Sequence, residues 1–262
     1  MAKYPPLMRY NWKPDLPDFR DHMYSFIPTA ATVLPKVVDL RPHCSAIENQ
    51  GNLGSCTGNA IVGALEFLEN KENSEAVAAG GTAKPFVNLS RLFLYYQERV
   101  IENTVNQDSG AQIRDGVKAC NTIGVCAESL YPYVVSKFKA KPTAKATADA
   151  ANRKISEYLR ITDLTSLRSS IAAGFPVVFG FTVYESFESD AVAKTGLVPM
   201  PQPSEQVLGG HAVMAMGYDD NKQLLKVRNS WGAAWGDQGY FYMPYAYITT
   251  TSLSDDFWTI RK

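Results

Sequence analysis

The chain has 262 residues, which corresponds to one large domain or two small ones. Its 26 basic and 26 acidic residues balance, so it lacks the basic excess typical of nucleic-acid binders, and 45% hydrophobic residues exclude global disorder. No apolar run approaches the roughly 18 residues that span a bilayer, and the N-terminus lacks the apolar stretch of a signal peptide. We therefore expect a globular protein that binds neither nucleic acid nor a membrane, whether secreted or cytoplasmic.

Residues 1–33 differ in composition from the rest of the chain. They contain five prolines, interleaved with the aromatic residues Tyr4, Tyr10, Trp12 and Phe19. Each proline fixes its own φ and favours an extended conformation in the preceding residue, so this segment is not predicted to be helical. Because so many large apolar side chains are unusual in a solvated tail, we expect an extended segment that lies on another surface.

The following part of the chain, about residues 45–133, is predicted to be helical. From Cys56 onward, apolar residues recur at spacings of three and four, which gives one apolar helix face. A second helix is predicted after Ser90, a residue favoured at helix N-caps. A third is predicted over about residues 112–123, and it ends before Gly124, which suits the left-handed position that follows a helix.

The last part, about residues 155–262, is predicted to consist mainly of strands. Residues 136–154, rich in Ala, Lys and Thr, are expected to form an exposed connector, followed by a short helix near residues 165–173. Four segments rich in β-branched and aromatic residues come next: PVVFGFTVY, HAVMAMGYD, LLKVRNSW and GYFYMPY. Helices followed by strands indicate an α+β protein with two lobes, and ligand sites are common between lobes.

Cys56 is the first candidate for chemistry. It follows a loop punctuated by glycines, QGNLGS, and begins the first predicted helix. Unpaired N–H groups and the positive end of the helix dipole stabilise a thiolate at such a position. On position alone, a small buried structural thiol is an equally good interpretation.

His211 and Asn229 strengthen the case for a reactive cysteine. His211 follows Gly209 and Gly210 at the start of a predicted strand, and Asn229 lies 229 − 211 = 18 residues later, at the end of another strand. A carboxamide beside an imidazole fixes its tautomer and orients the other ring nitrogen toward a thiol.

The order Cys56, His211, Asn229 resembles that of the papain family of cysteine peptidases. Three further segments are similar to that family in the same order: LPKVVDLR from Leu34, GVCAESLYPY from Gly124 and NSWGAAWGDQGYFYM from Asn229. The resemblance covers residue 34 to the C-terminus. It implies a helical N-terminal lobe, a C-terminal lobe formed by an antiparallel β-sheet or barrel, and an active site in the cleft between them.

The resemblance also implies roles for individual residues. Cys56 would be the nucleophile, paired as a thiolate with an imidazolium on His211, the general base. Asn229 would orient the imidazole, Trp231 would shelter that hydrogen bond, and the Gln50 side chain would complete an oxyanion hole with the backbone N–H of Cys56. Substrate contacts are expected from Ser109, Gly110, Gly210, Ala212 and Trp231. No cofactor is expected, and no metal, because the metal-binding spacings C-x-x-C and H-E-x-x-H do not occur.

Several positions depart from the plant and animal enzymes. Leu53 stands where they have a disulfide cysteine, Thr57 where they usually have an aromatic residue, and Gly210 where a side chain is common. The long prosegment of the eukaryotic enzymes is not found. These departures resemble bacterial papain-type peptidases, of the xylellain group, and they leave substrate preference open.

Three cysteines remain besides Cys56. Cys120 shares an apolar helix face with Ile113 and Val117 and is expected to be a core thiol. Cys44 and Cys126 lie in predicted loops of the helical part and could form a disulfide in an oxidising compartment.

We therefore expect a monomeric cysteine endopeptidase that hydrolyses peptide bonds of peptide or protein substrates through a thioester on Cys56. Residues 1–33 are expected to lie in the cleft as a built-in inhibitor, like the propeptide of a zymogen; the alternative is a segment that only stabilises the lobes. Two other functions stay open: an acyl transferase, which shares the first half-reaction, and a binding protein that has lost activity.

Overall fold

The computed structural model describes residues 10–25 and 33–262. Its α-helices are α1 (Cys56–Ala78), α2 (Arg91–Ile101), α3 (Ile113–Thr122), α4 (Ala144–Ala150), α5 (Leu164–Ala172), α6 (Asp190–Thr195) and α7 (Tyr245–Thr249). Its strands are β1 (Val37–Asp39), β2 (Glu157–Ile161), β3 (Val177–Tyr184), β4 (Val207–Asp219), β5 (Leu224–Arg228), β6 (Tyr240–Pro244) and β7 (Ser254–Arg261). Short 3-10 helices cover Arg41–His43, Glu128–Leu130, Val135–Lys137 and Glu185–Glu188.

All seven strands form one antiparallel sheet in the order β2-β7-β3-β4-β5-β6, with β1 paired to β4. The α+β class with helices before the sheet is therefore confirmed. Of the two expected forms of the C-terminal lobe, the barrel is wrong, because β2 and β6 are the two ends of an open sheet and do not pair with each other.

Helix α1 is the central element of the helical part. Its first turns, Cys56 to Leu68, are buried on every side because they pack against β4, α2 and α3. The remaining turns, beyond Glu69, are more exposed. A helix enclosed in this way holds its N-terminal residue in a fixed position relative to β4.

The predicted helix signals are confirmed at two ends. Ser90 is the N-cap of α2, and its Oγ accepts a hydrogen bond from the Phe93 N–H at 3.1 Å. Gly124 follows α3 with a φ of +90°, a conformation that favours glycine.

Two expectations about the remaining elements are wrong. The segment 136–154 is not an exposed connector throughout, because α4 lies within it and buries Ala146 and Ala150 completely. Strands β1, β2 and β7 were also not expected from the sequence; β7 is an interior strand between β2 and β3.

Residues 10–25, which we call the strap, are extended and lie on both parts of the fold. Bridges of parallel type pair Asn11 with Gly210 and Trp12 with Ala111, and Met23 pairs with Arg160 on β2. The expected extended segment is thus present over these residues. The rest of that prediction, for residues 1–9 and 26–32, lies outside the described residues. None of the helices that the structure describes is both long and apolar enough to cross a bilayer.

Candidate active site

Cys56 is the first residue of α1, with Ser55 as the N-cap, as the glycine-punctuated loop predicted. Its side chain is completely buried. Backbone N–H groups of Ala212, Asn11 and Thr57 face the sulfur. One of these three, from Asn11, belongs to the strap, so the strap contacts the candidate nucleophile directly.

His211, on β4, is oriented by Asn229, the residue after β5. The His211 Nε2 lies 2.9 Å from the Asn229 Oδ1, which also accepts the backbone N–H of Ser230 at 2.8 Å. Because an atom that accepts a backbone N–H is a carbonyl oxygen, Nε2 must donate to it. In the neutral imidazole the other nitrogen, Nδ1, is then unprotonated and basic, and it has no hydrogen-bond partner within the described part of the chain.

Trp231 covers this pair from one side. Its ring stacks on the His211 imidazole with centroids 5.0 Å apart and planes 25° apart. Because an apolar ring excludes water from the imidazole, this position agrees with the expected sheltering role.

Gln50 is held beside Cys56 by three hydrogen bonds. Its Oε1 accepts from the Ser230 hydroxyl at 2.6 Å, and its backbone N–H donates to the Ser230 carbonyl at 2.9 Å. Its Nε2 donates to the Leu53 carbonyl at 3.0 Å. An amide nitrogen carries two hydrogens, so one Nε2–H remains for an oxyanion.

The strap backbone follows the site. The Trp12 N–H donates to the Gly210 carbonyl at 2.9 Å, and the Lys13 N–H donates to the Ala111 carbonyl at 3.2 Å. The Tyr10 ring meets the His211 ring edge-on, with centroids 6.1 Å apart. Chain segments on both sides of the site therefore bind the strap as a sheet binds an added strand.

Glycines create the space that the strap fills. A Cβ on Gly110, which has a φ of +68°, would lie 1.6 Å from the Asn11 carbonyl oxygen. A Cβ on Gly180, in the interior strand β3, would lie 1.9 Å from the Trp12 indole. The strap thus fits closely because side chains are absent at both positions.

Burial changes the protonation of Cys56 and His211. Burial raises the pKa of Cys56 to about 11, against hydrogen bonds to the sulfur that lower it. Burial lowers the pKa of His211 to about 4, against the Asn229 hydrogen bond. In this arrangement the thiol and the imidazole are both neutral, and not the thiolate and imidazolium that the resemblance implied.

Two arginines of the sheet-and-helix body, Arg114 and Arg160, hold the second half of the strap. Arg114 binds Asp21 through two hydrogen bonds, of 2.9 and 2.7 Å, and donates to the Leu16 carbonyl at 2.6 Å. The Arg160 side chain lies 3.3 Å from Asp21 and 3.6 Å from Asp15. Sequence reasoning missed this anchor because its partners are some hundred residues apart.

A buried pair of carboxyl groups lies beside this anchor. Asp256, on β7, accepts the backbone N–H of Asp15 at 2.7 Å, and Arg160 donates to Asp256 at 2.9 Å. The Asp15 carboxyl accepts the Trp258 indole N–H at 2.8 Å. Both carboxyl side chains have no exposed surface.

The structure brings together most of the residues expected at the site. Gly210 and Gly110 contact the strap backbone, and Ala212 contacts the Cys56 sulfur through its N–H. Ser109 instead donates to the neighbouring Gly110 carbonyl at 3.1 Å. The carbonyl of Ala111, beside this pair, is the group that accepts from the strap.

The expected disulfide is not formed. Cys44 and Cys126 are free thiols, and they pack in different clusters: Cys44 against the core around α1, and Cys126 in the cluster around α2 and α4. Cys120 is a completely buried core thiol, as predicted. Within the described residues, no group of three or more His, Cys, Asp or Glu side chains is arranged to hold a metal ion.

Comparison with known proteins agrees with this architecture. The family model for papain family cysteine proteases matches residues 34–256. An uncharacterized peptidase C1-like protein of Acanthamoeba polyphaga mimivirus is 42% identical, over 94% of this chain and 84% of that protein. Cysteine proteinase 2 of Zea mays is 31% identical over 82% of this chain, which spans only 56% of that relative.

The similarity extends to a solved structure. Xylellain, a cysteine protease from Xylella fastidiosa, is 38% identical, with a TM-score of 0.87 over 100% of this chain and 98% of that one. The expected resemblance to the xylellain group is confirmed, whereas the bacterial type stays a prediction because a mimivirus protein is also similar. The chain belongs to the papain family of cysteine proteases and is a cysteine peptidase, a hydrolase.

Proposed function

We propose that the protein is a cysteine endopeptidase that hydrolyses peptide bonds of peptide or protein substrates through a thioester on Cys56. The observation that carries this proposal is the state of His211. Its Nε2 donates to Asn229, so a basic Nδ1 is left without a partner among the described residues, and the N–H of the next residue, Ala212, faces the sulfur of Cys56 at a helix N-terminus.

The chain's own groups supply each step. The His211 Nδ1 takes the proton of the Cys56 thiol, and the thiolate attacks the substrate carbonyl carbon. The Gln50 Nε2–H and the Cys56 backbone N–H stabilise the resulting oxyanion; a donor of this kind contributes about 2.7–4 kcal/mol. The imidazolium then protonates the leaving amine, which departs and leaves the thioester. In the second half-reaction Nδ1 takes a proton from water, the hydroxyl attacks the thioester, and Cys56 is restored as the acid is released.

We propose further that the strap inhibits this reaction. Its Asn11 N–H faces the sulfur, while the Asn11 carbonyl oxygen lies against Gly110. The docked strap therefore occupies the space at the sulfur that a substrate needs. Because the strap is part of the chain, its effective concentration at the site is high, on the order of millimolar for a short tether. The alternative, a strap that only stabilises the fold, predicts no effect on activity when the strap is loosened.

The proposal is tested with the full chain carrying Trp12→Ala, which we call the open-strap variant. The Trp12 indole is buried, and its loss weakens docking of the strap by about 3–5 kcal/mol. We expect it to cleave peptides that are blocked at both ends, whereas the same chain with Cys56→Ala does not. An inactive open-strap variant with an intact fold would support the non-catalytic binding protein instead.

The same assay separates hydrolysis from acyl transfer. Mass spectrometry of the products, with a competing amine present, reports whether water or the amine accepts the acyl group. Free carboxylic acid as the main product supports the peptidase, and an amide as the main product supports the transferase.

A further inference from the structure

Glu98, on α2, is a buried acid that lies behind the nucleophile and has no part in the steps above. It has no exposed surface, and its Oε2 accepts a hydrogen bond from the Thr57 hydroxyl at 2.7 Å. Its Oε1 has no hydrogen-bond partner within the described residues. Thr57 is the residue after Cys56, and its backbone N–H faces the Cys56 sulfur. Glu98 thus holds the first turn of α1 from behind.

The space for this carboxyl group is provided by α3. A Cβ on Gly116 would lie 2.5 Å from the Glu98 Oε1, so a larger residue there would displace the acid. Glycine in the interior of a helix is unfavourable by about 0.5–1 kcal/mol relative to alanine. The glycine that leaves room for Glu98 therefore lowers the stability of α3.

The surroundings of Glu98 favour its neutral form. The guanidinium of Arg99 donates to the carbonyls of Tyr95, Val105 and Phe138 at 3.1, 2.8 and 2.6 Å. The other charged groups that act on Glu98 are carboxylates, Glu102 of α2 and Asp115 of α3, while α1 contributes only the Thr57 hydroxyl. Burial is the largest effect and raises the pKa of Glu98 to about 8.

We propose that Glu98 is a positioning residue for the nucleophile: as a neutral acid it holds Thr57, and with it the N–H that faces the Cys56 sulfur. The inference rests on the proposed function, because it concerns the reactivity of the Cys56 thiolate. An ionised Glu98 destabilises that thiolate, since the two negative charges would share one buried region. The neutral acid therefore permits a thiolate that the anion opposes.

The test measures alkylation of Cys56 by iodoacetamide in the open-strap variant, from about pH 6 to about pH 10, with the site mapped by mass spectrometry. We expect the rate to rise with pH, and to rise less steeply above about pH 8, where the Glu98 anion raises the pKa of Cys56. Glu98→Gln, which keeps the acceptor but cannot ionise, should match the open-strap variant at about pH 6.5 and exceed it by about threefold or more at pH 9.5. Glu98→Ala, which lacks the acceptor, should be alkylated more slowly than the open-strap variant at both pH values.

Two further variants complete the design. Glu69→Gln, at a position of α1 distant from Cys56 whose carboxylate pairs with Lys262, is the matched control and should leave the profile unchanged. Thr57→Val removes the hydrogen bond through which Glu98 holds Thr57, so alkylation should be slower at both pH values, as in Glu98→Ala. Because that bond also stabilises the Glu98 anion, the less steep rise should begin at higher pH. This variant tests the inference even where a substitution at Glu98 prevents folding, which the melting temperature reports.

The outcomes separate the two proposals. If Cys56 is not alkylated at any pH in the open-strap variant, the proposed function is wrong. If Cys56 is alkylated but Glu98→Gln and Thr57→Val have the same pH profile as the parent open-strap variant, the role of Glu98 is wrong and the proposed function stands.

Discussion

The imidazole of His211 depends on the carboxamide of Asn229 for its orientation. The Asn229 Oδ1 accepts both the His211 Nε2–H and the Ser230 N–H, so the amide cannot rotate without losing a bond. Without this acceptor, His211 can adopt the tautomer in which Nδ1 carries the proton and is no base.

We therefore predict that Asn229→Ala lowers kcat/KM of the open-strap variant by about 10- to 100-fold. This is the loss of a hydrogen bond to a group that becomes charged, about 1.5–3 kcal/mol. Peptide hydrolysis measures it. Asn121→Ala is the control, because Asn121 donates to the Ile155 carbonyl at 2.8 Å and has no hydrogen bond to the site. Equal loss in both variants would mean that Asn229 has no specific role.

The two residues proposed as the catalytic pair have stronger signals in the sequence than the residues around them. Cys56 after a glycine loop and His211 after two glycines carry local signals, because backbone freedom is required where they occur. The partners of Arg114 and the burial of Glu98 carry no local signal, since they depend on contacts between distant parts of the chain. The protonation of Cys56 was also beyond the sequence, because the strap sets its burial.

At the scale of elements, the strap is bound in two places. Tyr10 to Lys13 lie on the proposed catalytic residues, and Asp15 to Tyr24 lie on the Arg114 and Arg160 side chains and on β2. The second contact is separate from Cys56, so it can be weakened without changing the proposed catalytic residues.

Substitution of Asp21→Asn should therefore raise the activity of the full chain. Its carboxylate makes two hydrogen bonds to Arg114 and is nearly buried, so its loss weakens docking by about 1.5–3 kcal/mol and raises activity by about 10- to 100-fold. Initial rates of peptide hydrolysis measure the change. Asp18→Asn is the matched control, because Asp18 is in the strap and its ion pair among the described residues is with the exposed Arg20. Unchanged activity of Asp21→Asn would show that this anchor does not restrain the enzyme.

The elements whose ends carry local sequence signals were predicted, whereas the elements that depend on packing between distant parts of the chain were not. The hydroxyl of Ser90 and the φ of Gly124 are local properties of α2 and α3. The helix α4 forms in a segment of low complexity because Ala146 and Ala150 are buried in a hydrophobic cluster that includes Cys126 and Tyr131, which periodicity did not reveal. Strand β7 lacks strict alternation, since its buried residues run from Asp256 to Ile260 between two other strands.

At the scale of the whole molecule, the net charge is zero, but carboxylates outnumber guanidiniums where the second half of the strap meets the rest of the fold. Four carboxylates face two guanidiniums there: Asp15, Asp21, Asp255 and Asp256 against Arg114 and Arg160. Burial, and then the charge of Asp15, raise the pKa of Asp256 to about 7 from an ordinary value of 3.8. Burial also raises the pKa of Asp15.

This excess predicts that the strap is released as the pH rises. When the strap leaves, Asp256 loses the neighbouring Asp15 and gains water, so its pKa falls toward the ordinary value. The docked state then binds more protons than the open state, and the stabilisation of docking, complete below about pH 4, is lost as the pH rises through about 7.

We expect the activity of the full chain, relative to the open-strap variant, to increase from about pH 5 to about pH 8. Asp256→Asn should flatten this increase, because Asn cannot ionise and tolerates the φ of +57° at this position. Rates of peptide hydrolysis by the full chain and by the open-strap variant, each with and without Asp256→Asn, give this activity ratio. A ratio that decreases with pH, or that increases equally in Asp256→Asn, would contradict the linkage.

The central claim is that Cys56 is the nucleophile and that the strap covers it. Its most direct test is the alkylation rate of each of the four cysteines, mapped by peptide mass spectrometry, in the unsubstituted chain and in the open-strap variant. We predict that Cys56 reacts slowly in the unsubstituted chain and about 100-fold faster or more with Trp12→Ala, while the rates of Cys44, Cys120 and Cys126 do not change. Rapid alkylation of Cys56 in the unsubstituted chain, or equal and slow alkylation in both, would contradict the claim.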